Sequence, residues 1–264
     1  MHEYYERNFT VRSSDADARG LCRPSALLCF LQDMATEHAA ILDIERDYLV
    51  KEYHAAWLLV RSWFRLDRPL RQDETVTIRT WHRGAGGLII YRDFDLTVDG
   101  VPVGEAVTAW VVADLTTRKM LRPKSIEHIA LSPVPETVKD RQLRLIRTPQ
   151  GRQAVYTKTV RYSDLDVNGH MNNTRYADVA LDALSPAELE GRFIGEMQIN
   201  YSLECRLGDR LLVSRYLEEN TCYIDGCGED DTRRFEAMVY FSPLCEKNPE
   251  KNPGSGVDED GETL

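Results

Sequence analysis

The sequence lacks any long apolar run. No hydrophobic stretch approaches the roughly 20 residues that a membrane-spanning helix requires. The first residues, MHEYYERNFT, are polar and contain no apolar core of the signal-peptide kind. We therefore expect a cytoplasmic protein without a membrane span.

Cysteine and histidine form no metal-binding pattern. The six cysteines include no C-x-x-C pair, and the six histidines are scattered. A structural zinc site needs clustered Cys or His side chains at ligand spacing. We expect reduced thiols rather than disulfides, and no metal site.

Basic residues are outnumbered by acidic ones. There are 33 Lys and Arg against 43 Asp and Glu, a net charge of −10. Nucleic acid is therefore not expected as a partner, because phosphate binding needs a basic face.

Locally, however, residues 118–152 carry nine Lys or Arg and three Asp or Glu, and form either a solvated linker or a docking surface. Residues 246–264 are acidic and rich in Pro and Gly, which predicts a disordered tail.

The two halves of the chain match when one is shifted by 149 residues. VRSSDADARG at 11–20 aligns with VRYSDLDVNG at 160–169, with six of ten positions identical. Each copy precedes an apolar segment with helical spacing, followed by several strand-like segments separated by turn residues. A helix followed by antiparallel strands, twice over, predicts an α+β fold in which a sheet wraps its own helix.

The two copies differ in the residues that carry chemistry. Both keep the Asp and Gly residues expected to shape the turn, but the first copy has Arg and Leu where the second has Asn168 and His170. Because the turn does not need them, Asn168 and His170 are candidates for function. Asp166 either shares that function or caps the turn, as Asp17 would in the first copy.

The pattern suits acyl transfer to water. Histidine moves protons near neutral pH, and alternate residues of an extended segment share one side. The start of the following helix would add N–H groups beside an oxyanion. The chain has neither a G-x-S-x-G nucleophile elbow nor a P-loop. A reaction without a serine nucleophile is therefore favoured.

The stretch DLDVNGHMNNTRY resembles the signature of the acyl-ACP thioesterases of plants and bacteria, D-x-D-V-N-x-H-x-N-N before a helix. The resemblance covers most of residues 1–245 and includes GLIIYRDFDL, AVTAWVVADLTTRKMLRP and INYSLECRLGDRLL. It implies a tandem double hotdog, two curved antiparallel sheets each wrapping a long helix, at residues 1–135 and 153–245, with a basic linker at 136–152. It also implies hydrolysis of fatty acyl thioesters on acyl carrier protein, without a cofactor.

The resemblance assigns the family's catalytic Asp, Asn and His to Asp166, Asn168 and His170, and its catalytic Glu to Glu204. Cys205, the next residue, corresponds to a Cys once considered the nucleophile. Strand alternation predicts Glu204 on a polar face and Cys205 on an apolar one, so we favour Glu204. Asp166 either orients the network or attacks the carbonyl itself.

The first half is expected to hold the acyl tail, because it lacks the catalytic Asn and His yet keeps the longer apolar helix. The expected pocket residues are Leu27, Leu28, Phe30, Leu31 and Met34. The acidic carrier protein is expected to dock on the basic stretch. The residues expected there are Arg141, Arg144 and Arg147, which would share one side of a helical turn.

Three other functions are compatible with a hotdog fold. They are an acyl-CoA thioesterase, an enoyl-thioester hydratase and a non-catalytic acyl-thioester binding protein. The usual hydratase motif has a Pro after its Asn, whereas Gly169 follows Asn168 here. Open sheet edges make a homodimer plausible.

Overall fold

The computed structural model describes residues 4–126 and 141–244. The elements of the first half are β1 (Tyr4–Thr10), α1 (Pro24–Ile41), α2 (Arg46–Tyr53), β2 (Ala55–Leu66), β3 (Thr75–Gly86), β4 (Ile89–Val98), β5 (Val101–Asp114) and β6 (Met120–Leu121). Those of the second half are β7 (Gln153–Thr159), α3 (Arg175–Leu181), β8 (Arg192–Tyr201), β9 (Arg210–Glu218), β10 (Thr221–Cys227) and β11 (Arg233–Pro243). The predicted tail at 246–264 and residues 136–140 of the predicted linker lie outside the described residues, and the proposed domain boundaries stay predictions.

Within the described residues, the strands form one continuous sheet of eleven. Its order is β1-β3-β4-β5-β2-β8-β11-β10-β9-β7, with β6 paired to β5, and every pairing is antiparallel. Read from either end inward, the two halves have the same strand order, as expected of a duplicated unit. The halves join through β2 and β8, where Arg61 pairs with Asn200 and Arg65 with Glu196. The double hotdog is therefore confirmed, but its two sheets are fused edge to edge.

The helices of the two halves differ in length. α1 has 18 residues and starts at Pro24, whose missing N–H costs nothing in the first turn. α3 has only seven residues, so the expectation of a long helix in each half is wrong for the second half. The Asn172 side chain accepts hydrogen bonds from the backbone N–H and hydroxyl of Thr174, both at 2.9 Å. This local turn delays the start of α3, because Asn side chains compete with helical hydrogen bonds.

One hydrophobic core lies between the helices and the inner face of the sheet. It is continuous across the halves, and Leu31 of α1, Phe64 of β2, Ala180 of α3 and Met197 of β8 are all buried in it. α1 packs directly against α3. Because this core is shared, the two halves stabilise each other.

Three elements, α2, β6 and β10, are not predicted by the sequence, and one strand is shorter than predicted. α2 buries only Leu49, so it shows no apolar stripe, and β10 contains Asp225 and Gly226, which strands disfavour. β8 ends at Tyr201 instead of continuing through the Glu204 region. Leu203 and Leu207 are accordingly 48% and 60% exposed.

Residues 141–149 form neither a helix nor a strand, and cross the outer face of the central strands. The backbone oxygen of Leu143 accepts a hydrogen bond from Arg61 at 2.9 Å, and that of Arg144 accepts one from Gln198 at 2.7 Å. These backbone oxygens bond to strand side chains instead of to N–H groups of their own segment, so the segment is not helical. The expected helical turn carrying Arg141, Arg144 and Arg147 is therefore wrong.

Across residues 4–126 and 141–244, no helix has the length and apolar character needed to span a membrane.

Candidate functional site

The motif at residues 166–170 is a tight loop closed by its own backbone. The Asp166 carboxylate accepts hydrogen bonds from the N–H groups of Asn168 at 2.8 Å and His170 at 3.4 Å. The Asp166 N–H donates to the His170 carbonyl at 2.8 Å, and the Gly169 N–H donates to the Asp166 carbonyl at 3.0 Å. Gly169 has a φ of 73°, in the left-handed region that suits glycine. The loop therefore needs Asp and Gly at these positions.

The first copy folds into the same loop without the Asn and His. Asp17 accepts hydrogen bonds from the N–H groups of Arg19 at 2.8 Å and Leu21 at 3.0 Å, and Gly20 has a φ of 71°. The Arg19 guanidinium also donates to the carbonyls of Leu189 and Arg192 at 2.8 and 2.6 Å. The Arg in the first copy therefore binds the two halves together, where the second copy has Asn168.

His170 and Glu204 come together in the second half. The His170 Nε2 lies 3.4 Å from the Glu204 Oε2, while the Asn168 amide donates to the second Asp166 oxygen at 3.3 Å. Glu204 lies in the irregular segment after β8, not in a strand as predicted. That segment runs beside the motif, since the Met171 N–H donates to the Cys205 carbonyl at 2.8 Å. All four predicted polar residues therefore belong to one cluster.

Glu204 and Cys205 have opposite environments. The Glu204 side chain is 37% exposed, whereas Cys205 is fully buried. Burial raises the pKa of the Cys205 thiol, which disfavours the nucleophilic thiolate. The burial predicted for Cys205 is confirmed, although loop geometry rather than strand alternation produces it.

The first half also contributes to this cluster. The Arg118 guanidinium, in the turn between β5 and β6, lies 3.7 Å from the Glu204 Oε1. Sequence reasoning placed Arg118 only in the basic stretch. No local pattern signals the contact, because the two residues are 86 positions apart and belong to different repeats.

A narrow cleft with a volume of about 10 Å³ lies between the first half and the residues that follow the motif. Asn173 and Thr174, just after the motif, line it together with first-half residues. The first-half lining residues are Leu28, Leu31, Gln32, Leu59, Ser62, Thr108 and Trp110. Of the five predicted pocket residues, Leu28 and Leu31 line this cleft. Leu27, Phe30 and Met34 are buried in the core but do not line it.

A separate cavity of about 380 Å³ borders the first-copy loop. It is lined by Asp17, Arg19 and Leu21 of that loop, together with residues of α3 and β8. Leu21 occupies the position that corresponds to His170, so this cavity lacks the acid–base group. It is not a second copy of the candidate site.

The three predicted docking arginines have different surroundings. The Arg141 guanidinium lies 3.7 Å from the centre of the Trp63 ring and 3.2 Å from the Glu196 carboxylate. Arg144 and Arg147 are exposed. Arg141 therefore has a packing role, which separates it from the other two.

The geometry supports water-based chemistry at a carbonyl group. A His beside a carboxylate can accept a proton from water, and a neighbouring amide can hold an oxygen of the substrate. The narrow cleft is lined by Asn173 and Thr174, which follow His170 in the chain, and by Leu28 and Leu31 of α1. The protein therefore belongs to the class of tandem hotdog proteins in which only the second copy carries this polar cluster.

Comparison with known proteins identifies the family within that class. Residues 2–127 match the acyl-ACP thioesterase N-terminal domain, and residues 147–225 match the C-terminal domain. The chain belongs to the acyl-ACP thioesterase family.

Individual relatives are distant in sequence. The chloroplastic palmitoyl-acyl carrier protein thioesterase of Cuphea hookeriana is 24% identical over 216 residues, which are 76% of this chain and 52% of that protein. The chain thus spans about half the length of this curated relative. The crystal structure of an acyl-ACP thioesterase from Bacteroides thetaiotaomicron has a TM-score of 0.81 and 26% identity, covering 91% of this chain and 98% of that one. The 12:0-ACP thioesterase from Umbellularia californica shares the fold, with a TM-score of 0.77, 19% identity, and coverage of 91% and 97%.

Because the two loops match, an experiment can separate the effect of a loop substitution on stability from its effect on activity. Gly20→Ala and Gly169→Ala each force a Cβ into a left-handed position, so each should lower the free energy of unfolding by about 1 kcal/mol. Only Gly169→Ala should also reduce thioester hydrolysis, because only its loop carries Asn168 and His170. Thermal unfolding and a thiol-release assay measure the two effects. Equal losses of activity in the two variants would contradict the assignment.

Proposed function

We propose that the protein hydrolyses the thioester of fatty acyl-acyl carrier protein, releasing a free fatty acid and the carrier thiol. The observation that carries this proposal is the contact of 3.4 Å between the His170 Nε2 and the Glu204 Oε2, beside an Asn168 held by Asp166. Membership of the acyl-ACP thioesterase family supports the substrate class.

In the proposed mechanism, His170 takes a proton from a water molecule, and Glu204 stabilises the resulting imidazolium. The water oxygen forms a bond to the thioester carbon, and the Asn168 amide binds the oxyanion. The tetrahedral intermediate then collapses, and the carbon–sulfur bond breaks. The departing sulfur takes the proton from His170, which restores the starting state.

Asp166 is proposed to orient the cluster rather than to attack the carbonyl. Its carboxylate accepts hydrogen bonds from two backbone N–H groups and from the Asn168 amide. Asp17 makes the same backbone bonds in a loop that lacks the Asn and His. A carboxylate committed to its own loop is a poor nucleophile, which supports the orienting role.

The central experiment compares three alanine variants with the wild-type enzyme. His170→Ala should lower hydrolysis of acyl-ACP by at least about 100-fold, the scale of losing an acid–base group. Glu204→Ala should cause a large loss, whereas Cys205→Ala should retain activity in the fraction that folds. Release of free thiol from acyl-ACP and from acyl-CoA is the measurement.

This experiment also separates the rival functions. Absence of thiol release by the wild-type enzyme would favour a hydratase or a binding protein. A clear preference for acyl-CoA would favour the acyl-CoA thioesterase. An inactive Cys205→Ala beside an active Glu204→Ala, both folded, would reverse the assignment of the two residues.

We further propose that the acyl tail enters at the cleft along α1, which has room for about one water molecule and must widen to admit the tail. Leu28→Ala should lengthen or widen the cleft and shift the released fatty acids toward longer chains. Leu27→Ala deletes the same atoms from the next residue of the same helix, but Leu27 does not line the cleft. Both variants should lose about 2–5 kcal/mol of stability. Fatty acid profiling that shows the same shift in both, or in neither, would argue against the cleft.

Arg144 and Arg147 are proposed to attract the acidic carrier. Complementary charge mainly raises the association rate and weakens with salt. The double variant Arg144→Glu/Arg147→Glu should therefore raise KM for acyl-ACP several-fold, with little change in kcat. Arg141 is left unchanged because it covers Trp63.

The matched control for docking is Arg46→Glu/Arg210→Glu, which alters the net charge equally at two exposed arginines. It should leave KM for acyl-ACP nearly unchanged at moderate salt. A carrier-free acyl thioester of N-acetylcysteamine should be hydrolysed normally by both double variants. Equal damage to both substrates by the Arg144/Arg147 variant would show that these residues do not serve docking.

A further inference from the structure

The Glu204 carboxylate is shared between the two halves of the protein. Its Oε2 lies 3.4 Å from the His170 Nε2 of the same half. Its Oε1 lies 3.7 Å from the Arg118 guanidinium of the other half. Each carboxylate oxygen therefore has its own cationic or proton-donating neighbour.

The turn that carries Arg118 is built by the first half alone. The Asp114 carboxylate accepts hydrogen bonds from the N–H groups of Thr116 at 3.0 Å and Thr117 at 2.6 Å, and the Asp114 carbonyl accepts one from the Arg118 N–H at 3.0 Å. The bonds from Thr117 and Thr116 lower the pKa of Asp114 below its usual value, so it stays ionised. Arg118 has a φ of 58°, a left-handed conformation that is uncommon outside glycine.

The same turn is anchored to the end of α2. The Leu115 N–H donates to the His54 carbonyl at 2.9 Å, and the His54 Nε2 lies 2.9 Å from the Thr116 hydroxyl. The backbone at Arg118 is therefore fixed from both sides before the side chain meets Glu204. Such a turn can present one side chain in a defined direction.

We propose that Arg118 is a positioning residue for hydrolysis, holding one oxygen of Glu204 so that the other oxygen stays on His170. This inference rests on the proposed function. Glu204 lies in an irregular segment and is 37% exposed, so its side chain needs a partner to keep one orientation. Arginine is always charged, and its planar group presents several N–H donors. The first half would thus complete a polar cluster whose proposed catalytic residues all lie in the second half.

The contact between Arg118 and Glu204 is expected to contribute little to the stability of the fold. Arg118 is 55% exposed, and exposed ion pairs contribute little to the free energy of unfolding. Removal of Arg118 should therefore change catalysis without changing the unfolding temperature. Arg79 provides a matched control, because its Nε lies 3.7 Å from the Glu6 carboxylate and its side chain is 51% exposed.

Positioning and carrier docking predict different kinetics for Arg118. A docking residue affects KM for acyl-ACP and leaves a carrier-free thioester untouched. A residue that positions Glu204 affects kcat for both substrates. The basic stretch that contains Arg118 makes docking the natural alternative, so the two substrates must be compared.

The experiment measures kcat and KM of the full chain and its variants on acyl-ACP and on an acyl-N-acetylcysteamine thioester. Arg118→Gln should lower kcat on the order of 10-fold for both substrates, the scale of losing a group that orients a catalytic residue, with KM little changed. Arg118→Lys should recover part of the loss, because it restores the charge. Arg79→Gln should match the wild-type enzyme.

A double variant tests whether Arg118 acts through Glu204. In the Glu204→Gln background, Arg118→Gln should cause little further loss, because groups that act as a unit are not additive. Full additivity, or a change confined to KM for acyl-ACP, would overturn the inference. Failure of the proposed function would look different, as Glu204→Gln would then retain wild-type turnover or the wild-type enzyme would release no thiol.

Discussion

The pairing of β2 with β8 is the interaction on which the rest of the structure depends. A single hotdog half would leave this edge of its sheet unpaired, with exposed N–H and C=O groups. Pairing the two edges satisfies these groups and makes one sheet from two. It also brings α1 against α3, so that the core becomes continuous across the halves. The cleft and the contact between Arg118 and Glu204 exist only because of this junction.

Duplication accounts for two matching loops, of which only the second carries the proposed catalytic residues. The two loops share the same hydrogen bonds from Asp17 and Asp166 to their own backbones, and the same left-handed glycine. Because these residues already form the loop, the remaining positions are available for other roles. In the first copy, Arg19 binds carbonyls of the second half. In the second copy, the same position carries the Asn168 amide beside His170.

The outer face of the junction is covered by residues 141–149. Leu143 packs into a small cluster with Trp63, and backbone oxygens of the segment accept hydrogen bonds from Arg61 and Gln198. The segment that connects the halves thus satisfies polar strand residues that would otherwise be costly to bury. Gln198 is buried beneath this segment, and its amide also donates to the Asn200 Oδ1 at 2.9 Å.

Much of the fold could be predicted from the sequence, because its signals are local. Helical spacing and Pro24 predict α1, alternation predicts most strands, and the repeat predicts two similar halves. Asn168 and His170 could be predicted as site candidates because the first copy of the loop, which keeps the Asp and Gly, shows which residues the turn itself requires. Glu204 was predicted from the resemblance to the family's motifs. The supporting argument from strand alternation was wrong, because β8 ends at Tyr201.

Tertiary structure decided what depends on contacts between distant segments. The fusion of the sheets, the extended path of 141–149 and the position of Arg118 beside Glu204 all arise from pairings across the repeat. Tertiary structure also decided which of the five predicted pocket residues line the cleft, since Leu27 and Leu28 are equally apolar neighbours on one helix. Local sequence determines the periodicity and turn chemistry of each segment. Which side chain meets which across the junction is set by the packing of both halves together.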